Sequence, residues 1–487
     1  MKRFAVCMTI LAVLGITWSA EARRGTPPLA LMNNTDFTGM EQLFMHPPEL
    51  ERVFVKDREV AGPVRVAEKL IVGKAMNEVG TWTTLKDGSQ HWQLRVTSPG
   101  AYFLSFHLSD FELPEGSELH FISVERNFYD GPYSAGHNNA SRWLSSPMIP
   151  DDSALITLWI PEGTERPNLR LEEVSWGYKN FRNILSTPYR DGRPVLSTKN
   201  ARMISDKACI DFRCSPDAAQ WEAQHRSVAE AYDGAYICSG AMLNSTDNNC
   251  TEFHYQTAKH CFTKGDAKNL VFYYNYENSA CGTNDAGINE TTTGSTHLMS
   301  HPSSDFYLVK LTELPPAGYF VSQSGFDATG AVPQSGTTMG FPNDVPMVIA
   351  HTYSPLRDGD NTGWGTDHWR VDSWDIGGTD SGSSGGALWD QNGRSVGQLH
   401  GGTGTCGDGG WDEYGKLSVA WAAGAAQHLD PGNTGNLTTD LIDCFGGTPP
   451  PPPPTCELGQ SGDACSSDAD CCSNDCRTKG RWANTCN

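Results

Sequence analysis

The cysteines of this 487-residue chain fall into separate blocks, and their distribution constrains the fold more than any other feature. Cys7 stands alone near the start, and the next cysteine is Cys209. Eight cysteines lie from Cys209 to Cys444, and six more from Cys456 to Cys486. An even number in each later block predicts disulfides formed in an oxidising compartment, seven in all. The chain therefore divides into a cysteine-free unit, a larger disulfide-bonded unit and a small stapled one.

The first residues have the pattern of a secretory signal. Met1-Lys2-Arg3 is followed by a mostly apolar run from Phe4 to Trp18 and then by Ala20-Glu21-Ala22, a small-x-small cleavage site. The apolar run is too short to predict a membrane-spanning helix. We expect residues 1–22 to be a signal peptide and the mature protein to be secreted and extracellular.

Residues 23–199 are predicted to form a β-rich unit. Three segments are rich in strand-forming residues, namely Gly100–Leu108, Glu118–Val124 and Ala154–Ile160. Pro-Glu-Gly turns at Pro114–Gly116 and Pro161–Gly163 follow the pattern of chain reversals between strands. A small β-sandwich accounts for this arrangement.

Residues 200–445 change composition, with cysteines, many glycines and short recurring strands. The predicted strands include Gly234–Leu243, Asn269–Tyr276, Asp305–Leu311 and Ser395–Leu399. This pattern predicts an all-β unit, either two barrels or a sandwich. Near its end, Ala422–Leu429 can form one helix that stops before Pro431.

Residues 446–455 contain six consecutive prolines and predict a stiff, extended linker. Residues 456–487 then predict a disulfide-stapled miniature domain, whose cysteine spacing resembles a cystine knot, or knottin. That analogy implies one of fifteen connectivities, Cys456–Cys472, Cys465–Cys476 and Cys471–Cys486. Its position beyond a stiff linker suggests a polymer or a cell surface as its target.

The charge balance excludes several classes of partner. The formal net charge is −21 and the sequence pI is near 5.0, which argues against nucleic acid or an anionic membrane as a partner.

No cysteine pair has zinc-finger spacing with partner histidines, and no clear calcium-binding loop is present. We therefore predict no metal and no cofactor.

Candidate chemistry begins at Gly382–Ala387, a glycine-rich turn that presents Ser384. Such a turn can point consecutive backbone N–H groups into one hollow, where they would bind an oxyanion. Gly/Ser-rich loops are common, so this turn alone is weak evidence for a nucleophile. Two further segments strengthen it, because Ser384 needs a base and the base needs a carboxylate.

The candidate base is His260, which lies in Thr257–Cys261. The candidate carboxylate is Asp305, which opens an apolar strand that would bury it. The order His, Asp, Ser along the chain is that of the chymotrypsin-type triad. A structural histidine and a surface aspartate are the competing interpretations of these two residues.

With these motifs, residues from about 200 to 445 resemble trypsin-fold serine peptidases and, more narrowly, bacterial lysyl endopeptidases. The narrower resemblance rests on Cys209–Cys214, Gly397–Gly402, Asp412–Lys416 and Trp364. It implies a chymotrypsin-like double β-barrel that hydrolyses protein or peptide substrates, with the amides of Gly382 and Ser384 as the oxyanion hole.

The same resemblance implies disulfides and a substrate pocket. The implied disulfides are Cys209–Cys406, Cys214–Cys281 and Cys238–Cys261, which leaves Cys250 and Cys444 to pair by exclusion. A pocket for lysine needs a buried carboxylate, since an unpaired buried ammonium is costly. Gly378, six residues before Ser384, cannot supply it. The resemblance implies Asp412 instead, with His400, Gly401 and Trp364 beside the substrate; taken alone, Asp412 would be read as a solvated loop acid.

Within this resemblance, residues 23–199 are predicted to be a pro-region that assists folding and blocks the site. The junction is rich in basic residues, and self-processing at Lys199 or Lys207 would suit a lysine-specific enzyme; the others are Arg190, Arg193 and Arg202. A permanent binding domain is the alternative for residues 23–199. For the whole chain, the alternatives are a catalytically silent homologue that acts in binding or adhesion, and a peptidase of the same fold with arginine or mixed preference.

Overall fold

A computed structural model of the chain describes residues 40–59, 63–124, 128–179, 209–283, 285–406 and 410–445. The predicted signal peptide, the basic junction, the proline linker and the cystine-knot segment with its six cysteines lie outside the described residues. Within the described ranges, no helix is long and apolar enough to cross a membrane.

The N-terminal unit is a two-sheet structure, as its strand-rich sequence predicts. Its one described helix of eight or more residues is α1, Leu50–Glu59. Its strands are β1 Gln42–Phe44, β2 Val64–Arg65, β3 Ala67–Ala75, β4 Thr81–Thr84, β5 Gln90–Thr97, β6 Phe103–Ser109, β7 Glu118–Ser123, β8 Tyr129–Tyr133, β9 Trp143–Ser145, β10 Ser153–Ile160 and β11 Arg170–Gly177.

One sheet has the order β1-β5-β10-β7-β8, with β4 paired to β5, and the other has the order β3-β11-β6-β9. Phe106 of β6 stacks on Phe121 of β7 with ring centroids 5.3 Å apart, so the two sheets pack face to face. The three predicted strands are confirmed as β6, β7 and β10. Both Pro-Glu-Gly turns are present, with positive φ at Gly116 and Gly163.

The second unit is built almost entirely from short strands. They are β12 Ile210–Asp211, β13 Val228–Tyr232, β14 Tyr236–Leu243, β15 His254–Ala258, β16 Val271–Tyr274, β17 Glu290–Thr293, β18 Ser295–His301, β19 Phe306–Leu311, β20 Ser322–Gln323, β21 Phe326–Asp327, β22 Gly336–Gly340, β23 Val348–Thr352, β24 Arg357–Asp358, β25 His368–Val371, β26 Ala387–Trp389, β27 Ser395–Gly402, β28 Asp412–Lys416, β29 Thr438–Thr439 and β30 Ile442–Asp443. Its helices are α2 Ala218–His225, α3 Leu417–Ala420 and α4 Ala426–Leu429.

These strands form two large sheets, one from each half of the unit. The first has the order β17-β16-β13-β14-β15-β19-β18, and the second has the order β12-β23-β22-β26-β27-β28-β25-β24, extended by β21 and β29. The all-β prediction is therefore confirmed, and the four predicted strands are β14, β16, β19 and β27.

The predicted single helix over Ala422–Leu429 is wrong in its start and its regularity. The helical run begins at Leu417, directly after β28, and has π-type hydrogen bonds over Trp421–Ala425 between α3 and α4. Leu417 and Leu429 are both fully buried, so packing extends the helix beyond the predicted start. Gly424 interrupts it with a φ of 131°, a conformation that a residue with a side chain rarely adopts. The end before Pro431 is as predicted.

Four disulfides hold the second unit together among the described residues. They join Cys209 to Cys406, Cys214 to Cys281, Cys238 to Cys261, and Cys250 to Cys444. These are the three pairs that the resemblance implies and the pair reached by exclusion. Two of them close loops of 197 and 194 residues, the kind of long loop for which a cross-link restricts the unfolded chain most.

The two units share a continuous apolar core. Buried side chains of both, such as Phe103 and Tyr232, belong to one cluster, and these two rings meet edge to face at 6.2 Å. The Met148 amide donates to the Tyr273 hydroxyl at 2.8 Å across the boundary. Strand β2 of the first unit also joins the first sheet of the second unit, where it pairs with the start of β14.

Candidate active site

Antiparallel strand pairing brings His260 and Asp305 together. β15 ends at Ala258, which lies opposite Phe306 at the start of β19, so the residues beyond each strand end meet. Asp305 Oδ1 accepts a hydrogen bond from the His260 amide at 2.9 Å, and Asp305 Oδ2 lies 2.6 Å from His260 Nδ1. Asp305 is buried, as predicted from the apolar strand that follows it. The carboxylate thus fixes both the backbone and the ring of His260, and leaves Nε2 directed elsewhere.

Ser384 is held in a tight turn whose glycines are sterically required. A Cβ built on Gly385 would lie 2.0 Å from Thr257 Oγ1, and Gly385 has a positive φ of 82°. Backbone groups of the turn are bonded to β27 and β14: the Gly385 amide donates to Leu399 O at 2.8 Å, and the Ser384 carbonyl oxygen accepts from the Ser239 amide at 2.9 Å. The turn is therefore fixed from two sides, one in each large sheet.

Two amides in the turn donate to no other group in the described part of the chain. Ser383, Gly385 and Gly386 all donate backbone hydrogen bonds, whereas within the described residues neither Gly382 N nor Ser384 N donates one. Gly382 has a φ of 96°, a conformation that favours glycine. These are the two amides predicted for an oxyanion hole, and both remain available to a ligand.

The Cys238–Cys261 disulfide connects the residue after His260 to β14. Cys261 Sγ lies 4.0 Å from His260 Nε2 and 3.9 Å from the backbone oxygen of Ser384. The structure thus joins Asp305 directly to His260, and it places the backbone oxygen of Ser384 and His260 Nε2 on either side of Cys261 Sγ. Among the described residues, no hydrogen bond joins the Ser384 hydroxyl to His260.

Asp412 is a buried carboxylate at the start of β28. Its Oδ2 accepts hydrogen bonds from Trp374 Nε1 and Thr379 Oγ1, both at 2.6 Å. Burial raises the pKa of Asp412, an effect that these two donors partly oppose. Among the described residues no cationic side chain forms an ion pair with it. The carboxylate is therefore desolvated, oriented and without a counter-charge.

Space near Asp412 is kept open by glycines. A Cβ built on Gly402 or on Gly404 would lie 2.4 Å or 3.1 Å from the Asp412 carboxylate. Gly378, the position that cannot supply a carboxylate, has its carbonyl oxygen 3.5 Å from the disulfide sulfur of Cys209.

The rings of Trp364 and His400 form a row with that of the candidate base His260. Trp364 stacks on His400 with ring centroids 3.9 Å apart, and His400 in turn stacks on His260 at 5.5 Å. His400 Nδ1 shares a hydrogen bond of 3.0 Å with His368 Nε2. Burial is the largest of the effects that lower the pKa of His400 to about 4, so this ring is neutral at neutral pH. A Cβ built on Gly401 would lie 3.2 Å from the Trp364 ring, so Gly401 permits the close approach.

Glu413 anchors the loop that carries Trp364. Its fully buried carboxylate accepts from the Trp364 amide at 2.6 Å and pairs with Arg370 at 3.2 Å. The Arg370 guanidinium also lies over the Trp411 ring at 3.9 Å. A buried charge pair from β25 and β28 thus helps to hold the loop.

Sequence reasoning missed four residues of this region: Trp374, Thr379, His368 and Glu413. Thr379 stands five residues before Ser384, so its proximity to the turn was a usable signal. Glu413 stands in the segment Asp412–Lys416 on which the resemblance rests, so its position was also a usable signal. Trp374 and His368 contact residues of distant segments, and no local sequence pattern predicts those contacts.

The residues His260, Asp305 and His400 could in principle hold a metal ion, because one ligand atom of each lies within 4.8 Å of the others. Their arrangement already has an explanation in the bond between Asp305 and His260 and in the ring stack. We assign no metal to them.

Comparison with known protein families agrees with both units. Residues 57–175 match a model described as the lysyl endopeptidase N-terminal domain, and residues 204–415 match one described as the lysyl endopeptidase C-terminal domain. A lysyl endopeptidase of Pseudomonas aeruginosa is 25% identical over 340 residues, which cover 66% of this chain and 70% of that protein.

Similar solved structures include the HtrA-type protease AlgW with a tripeptide, with 16% identity and a TM-score of 0.32. That match covers 44% of this chain and 64% of the other. A protease of M. tuberculosis in its active form has 17% identity and a TM-score of 0.30, and that match covers 46% and 91% of the two chains.

Proposed function

We propose that this lysyl endopeptidase-like serine endopeptidase is secreted and cleaves polypeptides on the carboxyl side of lysine. Matches of both units to lysyl endopeptidase domains and the relative from P. aeruginosa identify the chain as a serine endopeptidase. Lysine specificity, the catalytic roles and secretion are the parts proposed here. The observation that carries the specificity is the buried, unpaired carboxylate of Asp412.

In the proposed mechanism, His260 takes the proton of Ser384 as the serine oxygen attacks the scissile carbonyl. Asp305 stabilises the imidazolium that forms and holds the tautomer whose Nε2 is the base. The oxyanion would be bound by the amides of Gly382 and Ser384, which have no other acceptor among the described residues. His260 then protonates the leaving amine, and water hydrolyses the acyl-enzyme with His260 again as base.

Selection of lysine follows from the electrostatics of Asp412. A lysine ammonium would supply the counter-charge that this carboxylate lacks, and the glycines at 402 and 404 leave room beside it. The ring of Trp364 is 44% exposed and stacked on His400, so it offers an apolar wall to the aliphatic part of the side chain.

The test is mass spectrometry of a protein digest made by the purified, processed enzyme, beside a Ser384→Ala control. Cuts confined to lysyl bonds and absent from the control are expected. Cuts after arginine as well as lysine would keep the catalytic residues but reject the pocket assignment. No cuts from a processed enzyme would favour a catalytically silent homologue with a binding function.

The N-terminal unit is proposed to be a pro-region of residues 23–199, removed after secretion. The position of β2 supports this proposal. β2 pairs with β14, and Ser239 of β14 donates hydrogen bonds to the serine turn. Autoprocessing at Lys199 or Lys207 is expected to be lost in the Ser384→Ala chain and restored by adding active enzyme. A Ser384→Ala chain that is still cut by itself would favour another protease, and a chain never cut would favour a permanent domain.

The segment at 456–487 is proposed to bind an insoluble polymer or a cell surface, on the basis of its sequence and its stiff linker alone. Adsorption to candidate polymers should fall when residues 446–487 are deleted, and unchanged adsorption to all of them would reject this role.

A further inference from the structure

The start of β14 presents an open strand edge next to the serine turn. β14 pairs with β13 along one side, while β15 pairs only with its later residues, Ala241–Leu243. On that second side, Tyr236 and Ile237 are left for another partner. The strand then continues into Cys238 and Ser239, and Ser239 binds the backbone oxygens of both Gly382 and Ser384. An extended polypeptide added to this edge would lie beside the serine turn.

In the intact chain, β2 of the N-terminal unit occupies this edge. Val64 lies opposite Ile237 and Arg65 lies opposite Tyr236 in antiparallel register. The Val66 amide continues the contact by donating to Ala235 O at 2.8 Å. Val64 is buried, and its Cγ2 lies 3.4 Å from the position that a Cβ on Gly382 would take. The occupant therefore fills the space next to one of the two residues proposed to bind the oxyanion.

This occupant lacks the residue that the enzyme is proposed to cut after. No lysine occurs between Lys56 and Lys69. The one basic residue of β2, Arg65, turns back to its own unit, where it forms ion pairs with Asp57 and Glu68 and lies 5.9 Å from the Tyr178 ring. The Tyr178 hydroxyl donates to Asp57 at 2.7 Å and closes this cluster. Arg65 is thus unavailable to the Asp412 pocket.

The positions of Asp412 and of β14 indicate which side of the scissile bond β2 covers. Asp412 accepts hydrogen bonds from Trp374 and Thr379 and lies on β28, which pairs with β27. In the proposed function its carboxylate would bind the side chain of the residue before the scissile bond. β14 is joined through Cys238 to Cys261, beside the histidine that would protonate the leaving amine. The edge at Tyr236 and Ile237 therefore lies toward the leaving group.

We propose that β2 is a non-cleavable occupant of the leaving-group side of the site, so the intact chain excludes substrates that extend beyond the scissile bond. This inference rests on the proposed function. Pairing through the backbone requires no lysine in the occupant, and the tether to the second unit keeps the effective concentration of β2 high. Cleavage of the junction alone would leave β2 bound until the N-terminal unit dissociates.

The experiment uses the full chain with Lys199→Gln and Lys207→Gln, verified as intact on a denaturing gel, beside the processed enzyme. Each form is labelled at Ser384 with a small fluorophosphonate and assayed on two substrates. One is a lysyl anilide, which ends just after the scissile bond, and the other is a peptide with four residues after lysine. The measured quantity is the kcat/KM for the peptide divided by that for the anilide.

We expect both forms to label and the ratio to be at least about tenfold lower in the intact chain. Val64→Asp should raise the ratio about tenfold by placing a charge in the apolar contact at Gly382, and Val64→Ala should change it in the same direction. Ile71→Asp is the matched control, because Ile71 lies on β3 of the same unit and is 83% exposed.

Equal ratios in the intact and processed forms would overturn the inference, as would a Val64→Asp chain that behaves like Ile71→Asp. Absence of labelling in both forms would instead overturn the proposed function, and the inference with it. Labelling of the processed form alone would overturn the inference, because the intact chain would then block more than the leaving-group side.

Discussion

At the scale of a single residue, Asp412 combines two properties that a surface acid does not have. It is 1% exposed, and its two hydrogen-bond donors, Trp374 and Thr379, are neutral. Burial raises its pKa, because the charged form loses hydration that two neutral donors replace only in part. Electrostatic attraction to this carboxylate would favour binding of a cationic ligand. In the protein without ligand, the buried unpaired charge lowers the stability of the fold.

Asp412→Asn is expected to separate substrate binding from folding. kcat/KM for lysyl substrates should fall about a thousandfold, since breaking a buried charge pair costs about 3–5 kcal/mol. A carboxyl group whose folded pKa is raised destabilises the fold above that pKa, so the Tm of the variant should match or exceed that of the parent at neutral pH. Steady-state kinetics and thermal unfolding measure the two effects.

The control for this variant is fluorophosphonate labelling of Ser384, which should be retained. A fall in Tm together with a loss of labelling would show that Asp412 supports the structure instead of the substrate.

At the scale of an element, the loop between β24 and β25 depends on a residue of another strand. A Cβ on Gly363 would lie 2.3 Å from the Glu413 carboxylate, so the loop wraps closely around that group. Glu413 also receives the Trp364 amide at 2.6 Å. The exposed ring of Trp364 is thus positioned by a buried acid that bonds to the backbone of Trp364.

Glu413→Gln should therefore act on binding more than on chemistry. An amide nitrogen facing the Trp364 N–H or Arg370 leaves a buried donor unsatisfied, which costs about 1–3 kcal/mol and loosens the loop. We expect KM for lysyl substrates to rise about five- to tenfold with kcat nearly unchanged. Glu252→Gln is the matched control, since Glu252 forms an exposed pair with Lys310. A fall in kcat at unchanged KM would contradict a positioning role.

Local chemistry explains which elements the sequence could predict. The Ser384 turn is recognisable because its glycines are sterically required, and Asp305 because a buried strand follows it. The strands β6, β7 and β10 follow from their own residues. By contrast, the helix start at Leu417 depends on tertiary packing, and the bond from Trp374 to Asp412 spans 38 residues. The two-residue strand β2 has no local signal, because it exists through its pairing with another unit.

At the scale of the whole molecule, His107 lies where the two units meet. Its ring is fully buried in β6, with Nδ1 bonded to Ser145 at 2.9 Å and Nε2 to Ser175 at 2.8 Å. A Cβ built on Gly234 of the second unit would lie 2.6 Å from this ring, so the turn between β13 and β14 covers it. Burial, with a smaller contribution from Lys69, lowers the pKa of His107 to about 3.

Association of the cleaved units should therefore weaken in acid. A histidine whose pKa is lowered in the complex favours the complex fully above its ordinary pKa of 6.5, and this contribution is lost as the pH falls from 6.5 toward 3. If separation exposes the ring, the dissociation constant should rise by up to about tenfold per pH unit below 6.5. Size-exclusion chromatography of the junction-cleaved Ser384→Ala protein between pH 8 and about 5 measures this dependence. His107→Gln keeps a polar side chain but does not titrate, and it should flatten the profile. An identical slope in that variant would assign the acid sensitivity to other groups at the boundary.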